Sequence, residues 1–372
     1  MRAFFAARPE LAPTPLRELP ALARELGIGR LLVKDESARF GLNAFKLLGA
    51  RFAIQTLIDE GDIQPGATLV CASEGNHGRA VARAARDAGC AARVYMAHDA
   101  VPARVEAISA EGARVIKVDG SYDDAVRVME AEANANGWTI ISDTAWPGYE
   151  RIPRLIMLGY THMLDEIRDP GTGIRDPQFD AIFVQGGVGG LLCAVASWCA
   201  FHHRRPSGTE ALAPPHDAKS ASWAHRAKAA PRVIAVEPTS AACLQASARA
   251  GKPVAVTGPL TTTMAGLRNR EVSPSAFAAL LPNVDAFMAI DDVWSEAAIR
   301  ALGRPQGADP AIAAGASGAA ALGGLLALMR DTPLADTRAR LGLSAESRAL
   351  VIVSEGVTDP AVWHAAMGEP LQ

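Results

Sequence analysis

The chain has 372 residues, 37 of them basic and 40 acidic, for a net charge of −3 and no basic run, which argues against nucleic acid or an anionic membrane surface as its main partner. An apolar share of 49% with only 5% aromatic describes a globular chain with ample core material, and at about 150 residues per unit the length suits two or three folding units. Five scattered cysteines (Cys71, Cys90, Cys193, Cys199, Cys243) without a C-x-x-C point to a reducing compartment, expected to be the cytoplasm, and away from a disulfide framework or structural zinc.

Met1 to Leu11 lacks the apolar core of a signal peptide. Pro13-Thr-Pro15 reads as extended, and Leu16–Gly27 as a short helix. Leu31, Leu32 and Val33 form an apolar strand. A polar loop then leads into a helix entered near Asn43, an expected N-cap, with Ala44, Leu47, Leu48 and Arg51 at helical spacing. After the Pro65-Gly66 turn, strands are expected at Thr68–Ala72, Arg93–Ala97, Arg114–Val118 and Trp138–Ser142. Helices follow Ala72 and span Pro102–Glu111 and Ser121–Asn136, the last capped by Ser121. Pro153–Ile167 looks helical, Ala181–Gln185 is a strand, and a glycine loop leads into a helix over Leu191–Ala200. Later strands fall at Arg232–Glu237 and Ala349–Ser354, with a weaker one at Asp285–Ile290.

Strands alternating with helices, several of them continuously apolar, predict a mostly parallel α/β sheet covered on both faces. The uncharged stretches Ala181–Phe201 and Ala311–Met329 read better as buried elements than as membrane spans. His203–Pro231, rich in Pro, Ser, Ala and mixed charge, has no period and reads as a surface insertion.

Open α/β sheets bind ligands at the carboxyl ends of their strands. Those ends carry Ser73-Glu-Gly-Asn-His-Gly78, Asp143-Thr-Ala-Trp146, Gly186-Gly-Val-Gly-Gly190, Glu237-Pro238 and Ser354-Glu-Gly-Val-Thr-Asp-Pro360. The glycine loop suits an anion, because successive N–H groups can converge on it at a helix N-terminus. Tight strand–helix packing explains the same glycines equally well. The loop is neither a Walker loop nor a GxGxxG, which disfavours a nucleotide or NAD enzyme. His77, His98 and His162 lack ligand spacing, so no metal is expected.

Lys46 stands beside the positive end of its helix between Phe45 and Leu47. Such a place lowers a lysine pKa and favours the neutral, nucleophilic amine. A snorkelling surface lysine is the plain alternative. The chain has only six lysines (Lys34, Lys46, Lys117, Lys219, Lys228, Lys252), so each is a less generic choice than an arginine. A reactive lysine, a glycine cradle and no nucleotide motif together point to pyridoxal phosphate.

The segments Lys34-Asp-Glu-Ser-Ala-Arg-Phe-Gly-Leu-Asn-Ala-Phe-Lys46, Gly75-Asn-His-Gly-Arg79, Asp143–Trp146, Gly186–Gly190, Met264-Ala-Gly-Leu267 and Ser354–Pro360 resemble the diaminopropionate ammonia-lyase family. These are fold type II pyridoxal-phosphate enzymes related to the threonine and serine dehydratases. The resemblance is collinear from about Pro13 to Pro360. It implies an α/β fold like the tryptophan synthase β chain, with two mostly parallel sheets covered by helices. It further implies a large cofactor-binding domain of residues 1–67 and 156–372, a small domain of 68–155, and a homodimer.

By the same resemblance, Lys46 holds pyridoxal 5'-phosphate as an imine and Asn76 bonds its ring oxygen. The loop of Gly186, Gly187, Val188, Gly189 and Gly190 holds the phosphate, and the Ser354 hydroxyl faces the pyridine nitrogen. Glu74 and Asp143 match the acidic groups that act with Lys46 on the substrate α-proton. The activity implied is β-elimination of 2,3-diaminopropionate, or a close β-substituted amino acid, to pyruvate and ammonia. A dehydratase of a β-hydroxy amino acid is the alternative within the class, and a sensor binding the cofactor or an amino acid the alternative outside it. The chain departs from the family pattern at Glu74, usually aspartate, and at Arg268-Asn-Arg-Glu271 in place of Ala-Cys-Gly-Glu. The latter adds two cations near the expected site, and Asn269, standing where a cysteine is common, leaves Cys243 without a potential partner. The insertion at 203–231 is a third departure.

Overall fold

The computed structural model describes residues 1–8, 10–73, 75–169, 174, 178–203 and 230–368. Glu74 and nearly all of the expected insertion at 203–231 lie outside the described residues. In chain order the strands are β1 (Leu16–Glu18), β2 (Arg30–Asp35), β3 (Thr68–Ala72), β4 (Ala91–Ala97), β5 (Arg114–Val118), β6 (Thr139–Ile140), β7 (Ala181–Gln185), β8 (Arg232–Pro238), β9 (Ala286–Ile290) and β10 (Arg348–Val353).

They form two sheets. One has six strands in the order β1-β2-β10-β7-β8-β9 and the other four in the order β5-β4-β3-β6. Every pairing is parallel except β1 with β2. The six-stranded sheet is buried on both faces. Leu32, Ile182, Val184, Leu350 and Ile352 point into one core, while Leu31, Val33, Phe183, Val351 and Val353 point into the other. This is why its strands read as unbroken apolar runs.

Four expectations need correction. Leu16–Gly27 is not one helix: Leu16–Glu18 pairs with β2, and a helix begins only at Pro20 and ends at Gly27 with φ 67°. Proline at the first helical position sets that start. Pro153–Ile167 is two helices, Arg151–Tyr160 and His162–Ile167, separated at Thr161. The Trp138–Ser142 strand shrinks to Thr139–Ile140.

Asn43 is not an N-cap, and the helix begins at Leu47 with Lys46 as its cap residue. Asn43 sits at φ 55°. Its carbonyl accepts from Gly356 N–H at 2.8 Å, and Phe45 N–H donates to Ser354 at 3.3 Å. The backbone before Lys46 is therefore satisfied by the loop after β10 rather than by a helical turn.

Of the two stretches weighed as membrane spans, the first folds as β7 and the helix Gly190–His203, and the second ends in the buried helix Ala316–Arg330. Among the described residues no helix is long and apolar enough to cross a membrane.

The Lys46 loop is anchored from below by a buried ionic cluster. Lys34 donates to Glu166 at 2.5 Å and to the Thr14 carbonyl at 2.7 Å. Arg39 donates to both oxygens of Glu166, at 2.9 and 2.5 Å, and to Glu36. Lys34, Glu36, Arg39 and Glu166 are all at most 4% exposed. The cluster ties the Pro13–Pro15 segment and the 36–39 loop to the helix His162–Ile167. Above it, the helices Leu47–Asp59 and Arg151–Tyr160 cross where a Cβ on Gly49 would stand 2.6 Å from the Ile156 carbonyl, and one on Gly159 2.6 Å from the Leu48 carbonyl. Only glycine permits that approach.

Breaking a buried ion pair leaves its partner charge uncompensated. Glu166→Ala leaves the buried cations Lys34 and Arg39 to share the single carboxylate of Glu36 and is expected to cost about 3–5 kcal/mol of stability, read as the fall in the urea midpoint of unfolding.

Candidate active site

The carboxyl ends of the two sheets meet, and the groups leaving them touch. Lys46 Nζ, at the start of its helix, lies 2.6 Å from Asp143 Oδ2, which follows β6. It also sits over the rings of Phe45 and Tyr160, at 5.3 and 5.7 Å from their centroids. Burial pulls the ammonium down, as the sequence setting of Lys46 implies, but the Asp143 carboxylate opposes it and wins, so the Lys46 pKa is raised rather than lowered. Burial likewise pushes Asp143 up, and His77, protonated at the acid pH where a carboxyl titrates, together with Lys46 holds its carboxyl well below the usual carboxylate range. The resting lysine is thus a cation with its counter-ion in place, and the expectation of a neutral amine is corrected by this contact.

The signs follow for pH. The carboxylate's contribution is present above the ordinary Asp range and lost as pH falls through its lowered value. The ammonium's contribution is present below the ordinary Lys value and lost as pH rises through its raised one. Between those limits the pair is intact.

Asn76 opens the helix Asn76–Asp87, with Gly75 as the cap residue. Its side chain does not cap the helix; Nδ2 donates to Glu355 Oε2. Glu355 is 7% exposed. Burial raises its pKa against the hydrogen bonds from Ser317 and Asn76. Glu355 was not singled out from the sequence, although it adjoins Ser354 at the end of β10.

Ser354 is buried, and its hydroxyl accepts from Gln185 Nε2, which also donates to the Ile352 carbonyl at 3.1 Å. Those two acceptors fix the amide's orientation, so the Ser354 hydrogen is left to donate elsewhere. His77, also not singled out as a site residue, lies behind Asp143 with Nδ1 3.7 Å from Oδ2. Glu74 is outside the described residues.

The glycine loop lies between β7 and the helix Gly190–His203. Gly186 N–H donates to the Val236 carbonyl at 2.7 Å, and the Val188 carbonyl accepts from Ser273 N–H at 2.9 Å. A Cβ on Gly187 would meet Asn269 Nδ2 at 2.7 Å, and Gly189 has φ 98°. Close packing therefore demands glycine here. Among the described residues no protein carbonyl accepts from the N–H of Gly187, Val188 or Gly189, so the anion-cradle reading stands beside the packing one. Cys243 donates from Sγ to the Gly187 carbonyl at 3.7 Å. Burial, with Glu237 beside it, pushes its thiol up to about 12. Arg268 and Arg270 are exposed, and each is held to its own loop by hydrogen bonds to neutral carbonyls that leave its positive charge in place. Arg268 Nε donates to the Thr262 carbonyl at 2.9 Å, and Arg270 Nη1 to that of Gly258 at 3.0 Å.

Residues 7–337 match the family described as pyridoxal-phosphate dependent enzyme. The diaminopropionate ammonia-lyase of Escherichia coli (strain K12) is 36% identical over 366 residues, spanning 93% of this chain and 85% of that protein. The chain belongs to the diaminopropionate ammonia-lyase family of pyridoxal-phosphate dependent enzymes. The family's Salmonella typhimurium member is 34% identical over 97% of this chain and 89% of its own. The crystal structure of the Escherichia coli diaminopropionate ammonia-lyase in complex with an aminoacrylate-PLP azomethine reaction intermediate superposes with a TM-score of 0.81 at 33% identity, covering 96% of this chain and 88% of that one. The fold is accordingly that of the fold type II enzymes of this family, and pyridoxal 5'-phosphate is its cofactor. The residues present fit that group: a cationic lysine with its own counter-ion, unsatisfied N–H groups on a loop closed to side chains, and a serine hydroxyl free to donate.

Removing the Asp143 charge takes away the largest effect that opposes burial at Lys46. In the cofactor-free protein, Asp143→Asn is expected to drop the Lys46 amine below the ordinary lysine value, seen by NMR of the reductively ¹³C-methylated side chain; an unmoved titration contradicts the pairing.

Proposed function

We propose that this protein is a β-eliminating ammonia-lyase that converts 2,3-diaminopropionate, or a close β-substituted amino acid, to pyruvate and ammonia. The observation that carries the reading is the Lys46–Asp143 pair at 2.6 Å, which places an amine and its proton acceptor together where the two sheets meet. When bound, pyridoxal phosphate supplies an electron sink that acidifies the α-proton of an amino acid joined to it.

In this reading Lys46 holds the cofactor by its amine, and the backbone of Gly186, Gly187, Val188, Gly189 and Gly190 holds the phosphate. Asn76, already aimed away from its own helix, serves the ring oxygen, and Ser354 donates to the pyridine nitrogen. A hydroxyl there is a weaker acid than a carboxyl and moderates the sink, which suits elimination. Released from the cofactor by the incoming amino acid, Lys46 regains Asp143 as its partner. Between them they exchange the proton needed to make a free amine, and either can take the α-proton in its turn. Glu74 is assigned to the other enantiomer. Loss of the β-amino group as ammonia leaves 2-aminoacrylate, which water converts to pyruvate and a second ammonia.

The same reading takes residues 68–155, which carry the four-stranded sheet, as the small domain and 1–67 with 156–372 as the large one. It includes a homodimer in the cytoplasm.

The purified protein is expected to show the visible band of a lysine-bound cofactor and to release pyruvate from diaminopropionate. Lys46→Ala is expected to lose both. Asp143→Asn is expected to keep the band, lose about 10²–10⁴-fold in kcat, and change the ratio of rates on the D and L forms. A band without pyruvate from either form overturns the substrate; no band on addition of pyridoxal phosphate overturns the whole reading.

A further inference from the structure

His77 is built into the centre of the site and has no part in the reaction as described so far. It is the second residue of the helix Asn76–Asp87 and is 6% exposed. Its Nε2 lies 2.8 Å from the Ile141 carbonyl oxygen. A carbonyl only accepts, so in the neutral ring Nε2 carries the hydrogen and Nδ1 is bare. The partner is firmly placed, because the Tyr149 hydroxyl donates to the Ile140 carbonyl at 2.8 Å and accepts from Ser142 N–H at 2.9 Å, on either side of Ile141.

Among the described residues Nδ1 has no hydrogen-bond partner. It faces Asp143 Oδ2 at 3.7 Å, the same oxygen that holds Lys46 Nζ at 2.6 Å. Two electron-pair-bearing atoms thus look at each other in a buried place with no proton between them. A bare, buried, unpartnered nitrogen is a cost that native structures seldom carry without a use.

We propose that His77 is the proton-holding end of a Lys46–Asp143–His77 chain, accepting on Nδ1 the proton that Asp143 receives during turnover. The proposal rests on the β-elimination reading. In the step, the Asp143 Oδ2–H bond breaks and the His77 Nδ1–H bond forms, with no change in oxidation state. The resulting imidazolium donates from Nε2 to the Ile141 carbonyl and, once the 3.7 Å gap closes to hydrogen-bond distance, from Nδ1 to Asp143, which returns to the carboxylate that Lys46 needs. The proton leaves later, with one of the two ammonias.

The surroundings agree with a base at rest. Burial lowers the His77 pKa, the Asp143 carboxylate raises it and the Lys46 ammonium lowers it, for a net fall. The other titratable groups at Asp143 and Lys46 are the Cys71 thiol and the Tyr149 and Tyr160 phenols. All three are pushed up, first by burial, and stay neutral. His77 is a positioning residue in this scheme, because it acts through Asp143 and not on the substrate.

The test uses His77→Gln, whose amide can still donate to the Ile141 carbonyl while offering no base to Asp143. With the holoenzyme, the visible band and KM are expected to stay within about twofold, and kcat to fall about 10–100-fold, the lower part of what positioned proton transfer contributes. The sign of the pH dependence is fixed: Nδ1 must be bare to accept, so wild-type kcat declines as pH falls through the His77 value, below the ordinary histidine value of about 6.5. That acid limb is absent in the variant.

A second readout needs no turnover. In ¹⁵N-histidine NMR the His77 resonance, identified by its loss in His77→Gln, is expected to titrate lower still in Asp143→Asn, where the anion that supports imidazolium is gone. If His77→Gln does not fold, His77→Asn supplies the assignment and the Asp143→Asn titration alone decides. An unchanged acid limb with kcat within about twofold, or a His77 titration indifferent to Asp143→Asn, overturns the proposal. Wild-type protein that makes no pyruvate overturns the substrate reading instead, and the NMR coupling then decides for or against His77 by itself.

Discussion

The contact on which the site depends is the ion pair between Lys46 and Asp143. It joins a side chain positioned by the six-stranded sheet to one carried off the end of the four-stranded sheet, so neither half of the molecule contains it alone. Holding two groups at 2.6 Å across such a junction requires that the loop bearing the lysine be rigid. The sequence meets that need twice. Below the loop, Lys34, Arg39, Glu36 and Glu166 neutralise one another in the interior. Above it, Gly49 and Gly159 let two helix backbones touch. Lys34 thus serves the lysine further along the chain by anchoring its loop, and takes no part in the chemistry.

The site keeps neighbouring titratable groups in different protonation states by giving each a different environment. Lys46 is cationic and Asp143 anionic because each has the other. His77 stays neutral because burial outweighs its anionic neighbour, and burial favours the protonated form of Glu355. Catalytic sites commonly separate acids from bases in this manner. Asn76 and Glu355 make a second link between the sheets. The two links lie at the carboxyl ends of parallel strands, where helix N-termini and loop N–H groups converge and an anionic cofactor is best received.

The amino-acid order by itself determined a good deal. Continuous apolar strands, alternating with helices, settled a parallel sheet covered on both faces, since only strands buried on both sides can be apolar at every residue. The Lys46 stretch and Asp143–Trp146 pointed to the family, and the glycines at 186–190 and the Asn76-His77 pair to its wider superfamily, because each is a local solution that a short run of residues can write down. What the sequence did not carry were effects set by partners far along the chain. Asn43 has the chemistry of a cap, but residues 354–356 take its backbone and move the helix start to Leu47. Lys46 has the local setting of a lowered pKa, but a carboxylate 97 positions away reverses it. Burial and pairing are properties of the folded volume, and a carboxylate at 2.6 Å outweighs anything that neighbours in sequence can say about a charge.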